Sequence, residues 1–272
     1  MLKKVRMKLM SPDCFKDVPL GVNDLYLLES FQIGYLPGWI PEPEVAAVLW
    51  AYPSIKHFLV EKCPPVTEFI ERVTSRFPAA DNPETIDVCA DKVVRKISDL
   101  LGYNKCPEAY DCLAFHKWDF QEITSITSLE NKIVLDGGSG TGRVALEAAQ
   151  TAKHVFAMEP VTRLRQFIRE KAVAKGLKNV FVMDGFLHAI PLPDDFVDVL
   201  ITSHALGWRL EDELREFERV VKNGGMVIHC PGTADRDSDN DVHSHLVSSD
   251  WQYKCSRYKE ADGWKRKYWK QV

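Results

Sequence analysis

Three glycines at alternate positions, Gly138, Gly140 and Gly142, follow the apolar run Ile133-Val134-Leu135 and precede a helical pattern that begins near Arg143. A turn without Cβ atoms lets a ligand approach the backbone, and a helix that starts there points unpaired N–H groups and a positive dipole end at the same spot. That is the chemistry of a cofactor cradle. Two carboxylates frame it: Asp136, just ahead of the turn, and Glu159, which ends a second apolar run, His154 to Met158. An acid at the end of a second strand can accept both ribose hydroxyls of a bound nucleoside. The dinucleotide spacing G-x-G-x-x-G would need glycine where this chain has Arg143, so Asp136 becomes the discriminating residue, although it could merely cap the turn.

Strands and helices must alternate to hold these groups. Helices are expected over Arg143–Thr151, Thr162–Lys175 and Glu211–Val221, with strands in the apolar run from Ile133, at His154–Met158, at Asn179–Met183 and at the end of Leu192–Ile201. Asp136-x-Gly138-x-Gly140-x-Gly142 resembles motif I of the class I S-adenosylmethionine (SAM) methyltransferases. Leu192-Pro193-Asp194-Asp195-Phe196-Val197-Asp198 is similar to the lead-in to strand four of their UbiE-like, type 11 members. Glu216-x-x-Arg219-Val220-Val221-Lys222-Asn223-Gly224-Gly225 is similar to their turn into strand five, with Asn223 where proline is usual. The likeness runs in register over roughly residues 130 to 232.

It implies a Rossmann-like α/β fold with sheet order 3-2-1-4-5-7-6 and one antiparallel strand, SAM as cofactor and S-adenosylhomocysteine as product. Cofactor contacts are then expected from Asp136, Gly137, Gly138, Ser139, Gly140, Gly142, Glu159, Pro160 and Ser203, and from Asp184, Gly185 and Phe186, with the acid at 184 meeting the adenine amino group. SAM's methyl group is already activated, so transfer needs chiefly an acceptor held in line with it. If a base helps, the segment after strand four is where to look, and His204 is the candidate base or substrate-orienting residue; packing or cofactor contact is its competing role. No Asn/Asp-Pro-Pro-aromatic sequence stands there, which argues against methylation of exocyclic base amines.

The 272 residues are 45% hydrophobic, with a formal net charge of −4. That is ample for a core and supplies no global field for nucleic acid or an anionic membrane. No stretch approaches the roughly 20 apolar residues of a membrane span, and the basic N-terminus lacks a signal-peptide core. The expectation is a cytoplasmic enzyme with a small-molecule acceptor; a homodimer stays open, and protein or RNA methylation, or SAM binding without catalysis, are the alternatives. Residues 1–108 fall outside the resemblance and read as a helical accessory or substrate-cap region, with 109–272 as the methyltransferase domain. Helices are expected at Glu44–Tyr52, Pro64–Phe77, Pro83–Leu101 and 110–128. Tyr35, Trp39, Trp50 and Tyr52 could line an acceptor site or form a dimer surface, with core packing the default.

Seven cysteines, none in a C-x-x-C pair, read as free thiols. Asp235, Asp237, Asp239, Asp241, His243 and His245 alternate as metal ligands might, but fail the calcium-loop pattern at Asn240 and Leu246, so a solvated loop and no metal are expected. The hairpin signal around Ala261-Asp262-Gly263 would supply the last two strands, with Tyr253, Tyr258, Trp264, Tyr268 and Trp269 packed on it.

Overall fold

The computed structural model describes residues 15, 17–80, 82–113, 117–234, 241–260 and 263–272. Asp235, Asp237, Asp239 and Asn240, and the turn residues Ala261 and Asp262, lie outside them. The described residues divide into two compact units, one up to Leu113 and the other from Lys117 onward.

The first unit is helical. After a 3-10 turn at Val22–Leu27 come α1 (Ser30–Ile33), α2 (Glu42–Ala51), α3 (Pro53–Lys62), α4 (Thr67–Arg76), α5 (Pro83–Lys96), α6 (Ser98–Lys105) and α7 (Pro107–Asp111). Proline opens α3, α5 and α7, where an N–H would lack a partner in any case. Every residue from Val45 to Leu49 of α2 is buried, and the helix packs against α3, α4 and α5. The helix expected over Pro83–Leu101 is broken at Ile97, whose φ of −119° and ψ of 25° separate α5 from α6. The sequence reading missed α3 because its buried stripe is only Ile55 and Leu59, too narrow for a clear period. Core packing of the four aromatics holds only in part. Trp50 is 46% exposed and donates its indole N–H to Phe77 O at 3.0 Å.

The second unit is a seven-stranded sheet: β1 (Ile133–Gly137), β2 (His154–Met158), β3 (Val180–Met183), β4 (Val197–Thr202), β5 (Val221–Ala234), β6 (Lys254–Glu260) and β7 (Gly263–Gln271). The order is β3-β2-β1-β4-β5-β7-β6, with β7 antiparallel to both of its neighbours. Alternate residues bury themselves on opposite faces, as a two-residue period requires. Val134, Ala157, Val199, Ile201 and Ile228 form one core; Leu135, Leu200 and Val227 join Leu214 and Phe217 in the other. Its helices are α8 (Gln121–Thr124), α9 (Arg143–Ala148), α10 (Thr162–Ala174), α11 (Leu210–Val220) and α12 (Asp241–Leu246). The helix expected over 110–128 does not form as one piece. Its β-branched run Ile123–Thr127 favours no long helix, and the short α8 is instead fastened to β7 by Lys267, whose ammonium reaches Glu122 Oε2 at 2.7 Å and Ser125 Oγ at 3.2 Å. The alternating Asp/His tract, expected as loop, is helical from Asp241 to Leu246.

Candidate functional site

Register alone brings the predicted residues to one level. Gly137 pairs with Met158, and Met158 with Met183, so Gly138, Glu159 and Asp184 are the next residues beyond β1, β2 and β3. Gly138 N and Ser139 N donate to Met158 O at 2.9 and 3.0 Å, and Glu159 N donates to Met183 O at 3.1 Å. Gly138, Gly140 and Gly142 have φ of 71°, 55° and 83°, the left-handed conformation that other residues avoid. A Cβ on Gly138 would lie 2.5 Å from Ala205 Cβ, and one on Gly142 would lie 2.9 Å from Ile168 Cγ1. These glycines therefore do more than clear space for a ligand: they let the turn close against α10 and the segment after β4.

Asp136 sits beneath the turn, 1% exposed, and its Oδ2 accepts the N–H of Ala145, the third residue of α9, at 2.9 Å. Burial pushes its carboxyl up to about 7. The helix start is thus partly capped by the protein itself, which corrects the picture of N–H groups all directed at a ligand. Asp136 reaches the cradle through the helix it caps.

Glu159 is 6% exposed. Its Oε2 accepts Gly140 N and its Oε1 accepts Val161 N, each at 2.9 Å, while burial raises its carboxyl to about 7. These bonds occupy two of a carboxylate's roughly four lone-pair positions and leave acceptor capacity on each oxygen. The Thr141 hydroxyl, wholly buried in the turn, has no partner. Left-handed glycines and a fixed carboxylate with spare acceptor capacity fit the ribose of an adenosyl group. Ser139 Oγ donates to Asp136 O at 2.8 Å, which braces the turn from within.

Asp184 is more open, its side chain 67% exposed, and it pairs with Arg165 at 3.1 Å. Gly185 is tightly enclosed, a Cβ there falling 2.6 Å from Met158 Sδ, and the Phe186 ring lies 5.4 Å from His188. The carbonyl of Pro160 is taken by Arg165 at 2.7 Å.

After β4, Ser203 is half-buried and His204 is exposed with φ 58°; the His204 N–H donates to Pro231 O at 3.1 Å. Glu213, 1% exposed, pins the segment by accepting Gly207 N at 2.7 Å and Arg209 N at 2.9 Å. Under it, Thr202 Oγ1 and His229 Nδ1 are 2.7 Å apart, and His229 Nε2 is buried without a partner. Burial pushes His229 down to about 3, so its ring is neutral. Arg165, Thr141, Glu213 and His229 were not singled out in the sequence. The acidic run Glu211-Asp212-Glu213 at the start of a helix was a usable signal for Glu213; the other three depend on tertiary neighbours.

His243 Nδ1 lies 3.0 Å from Tyr268 OH and His245 Nε2 lies 3.1 Å from Glu211, and among the described residues no group of three side chains could hold a metal. Tyr253, Tyr258 and Tyr268 are buried, whereas Trp264 is 48% exposed. Cys230 is buried 3.8 Å from Tyr258 OH, its thiol pushed up to about 12 by that burial, and the six described cysteines are free. No helix among the described residues is long and apolar enough to cross a membrane.

Residues 135–229 match a family model described as "Methyltransferase domain". An uncharacterised methyltransferase of Geobacillus sp. (strain WCH70) is 26% identical over 42% of this chain and 54% of its own length. Malonyl-[acyl-carrier protein] O-methyltransferase of Yersinia pestis is 32% identical over 35% of each chain. A solved SAM-dependent methyltransferase from Aquifex aeolicus superposes with a TM-score of 0.49 at 20% identity, over 61% of this chain and 98% of that one. The chain spans about half the length, or less, of these two curated relatives. The matched segment is thus similar to methyltransferase domains, and it lies within the seven-stranded sheet unit.

Proposed function

We propose that this chain is a SAM-dependent methyltransferase that moves a methyl group to a small-molecule acceptor by in-line displacement. The observation that carries the proposal is Glu159, a buried carboxylate locked between Gly140 N and Val161 N with acceptor capacity left for a ribose diol. In this reading Glu159 holds the ribose, the turn Gly137–Gly142 lets the ligand approach the backbone, Asp136 keeps α9 in place, and Asp184, Gly185 and Phe186 bound the adenine. Pro160 and Ser203 line the same cradle. SAM, when bound, supplies a methyl group already activated by its sulfonium. His204 takes the acceptor's proton or orients the acceptor, and Glu213 holds the segment that carries it. Acceptor selection is assigned to residues 1–108, because every group of the cradle comes from the sheet unit. The lead-in to β4 and the turn into β5 support the UbiE-like subtype.

The small-molecule reading is supported by the net charge of −4, which gives no field for RNA. A protein-borne acceptor is the second reading, favoured by the likeness to an enzyme named for malonyl-[acyl-carrier protein]. Incubation with methyl-labelled SAM and a cell extract separated by size tests both. Label in the small-molecule fraction supports the first reading, label in protein supports the second, and no transfer with intact cofactor binding overturns both.

A further inference from the structure

Arg165, in the first turn of α10, is tied to the ends of two strands at once. Its Nη1 donates to Glu159 O at 2.8 Å and to Pro160 O at 2.7 Å, and lies 3.1 Å from Asp184 Oδ1; its Nη2 donates to Thr162 Oγ1 at 2.9 Å. The guanidinium is mostly covered, with 11% of the side chain exposed, while the Asp184 side chain is 67% exposed. An exposed aspartate beside an arginine that is itself fixed on backbone carbonyls meets a cation whose place is already set, which narrows the orientations the carboxylate takes. The strand register makes this useful: Glu159 and Asp184 each follow a paired methionine, so a single cation spans both ends.

We propose that Arg165 is a positioning residue that aims the Asp184 carboxylate at the 6-amino group of adenine and so sets the preference of the cradle for a 6-aminopurine. This rests on the reading of Asp184 as the adenine contact. Arg165 touches no part of the ligand in this account. Arg169 serves as a control, since it also joins α10 to β3, by donating at 2.9 Å to the backbone carbonyl of Val182, two residues before Asp184.

The test is calorimetry on the full chain with two ligands: S-adenosylhomocysteine and its purine-riboside counterpart, in which C6 bears hydrogen in place of the amino group. Asp184→Asn and Arg165→Met should each weaken S-adenosylhomocysteine by about tenfold, as loss of one charge-assisted bond does, and should change the purine-riboside ligand little. Arg165→Lys, which keeps the charge and loses the fork, should lose the same selectivity. Arg169→Met should leave it intact, and Arg165→Met/Asp184→Asn should be no worse than Asp184→Asn alone. If Asp184→Asn is selective while the Arg165 variants weaken both ligands equally or neither, the positioning role is overturned and the adenine contact stands. If Asp184→Asn changes neither ligand, the adenine contact itself is wrong and the inference falls with it.

Discussion

The carboxyl ends of β1 and β2 and those of β4 and β5 solve different problems. At β1 and β2 the key elements are backbone conformations: three left-handed glycines and N–H groups of Gly140, Val161 and Ala145 directed at two carboxylates. At β4 and β5 side chains satisfy one another, Glu213 holding the segment after β4 and Thr202 meeting His229. A turn built from backbone geometry tolerates few residue types, whereas a segment held by side-chain partners tolerates more.

That contrast can be broken at either end. The largest effect is expected from Gly138→Val, which forces a branched side chain into a left-handed turn and against Ala205; S-adenosylhomocysteine binding should vanish in a titration while the sheet stays folded by circular dichroism. On the other side, His204→Ala should lower kcat about 10²-fold and remove a pH limb near the imidazole range while sparing S-adenosylhomocysteine affinity, if His204 takes a proton. An unchanged pH profile would leave positioning as its only role.

Glu159→Ala should weaken the cofactor by roughly 1–3 kcal/mol. The pH dependence sharpens this: the Glu159 carboxyl is raised to about 7, and the ionised form is the better acceptor for two hydroxyls, so affinity should rise as pH passes upward through that value. Glu159→Gln should flatten the rise. A separate effect, on stability and not on binding, concerns His229, whose folded pKa of about 3 lies below its unfolded value near 6.5. The unfolded chain then binds the extra proton, and His229 stability present above pH 6.5 is lost as pH falls toward 3. Asp136 and Glu159 act oppositely, their stability being present in acid and lost as pH rises to about 7. His229→Phe should therefore make the pH slope of unfolding free energy less positive by about 1.4 kcal/mol per unit between pH 4 and 6, measured by urea denaturation.

The same contrast explains what the sequence revealed. The strand at His154–Met158 and the glycine turn were legible because apolar runs, alternating glycines and terminal acids are local signals, whereas the sheet order came from the family resemblance those motifs carry. Arg165 was not, because its meaning lies in Asp184, which only the β2–β3 register brings near. Nor was the split of the predicted Pro83–Leu101 helix, since Ile97 leaves helical geometry while buried in a tertiary core. The missed α3 and the short α8 share that cause: packing decided where periodicity was weak. The role of Asp136 was left between capping and binding, and its bond to Ala145 identifies a cap.

The most direct test of the central claim is a calorimetric titration of the full chain with S-adenosylhomocysteine and, separately, with NAD. The turn spacing and the fixed Glu159 predict saturable binding of S-adenosylhomocysteine, lost in Gly138→Val, and no heat of binding with NAD. Saturable NAD binding with no response to S-adenosylhomocysteine would contradict the account.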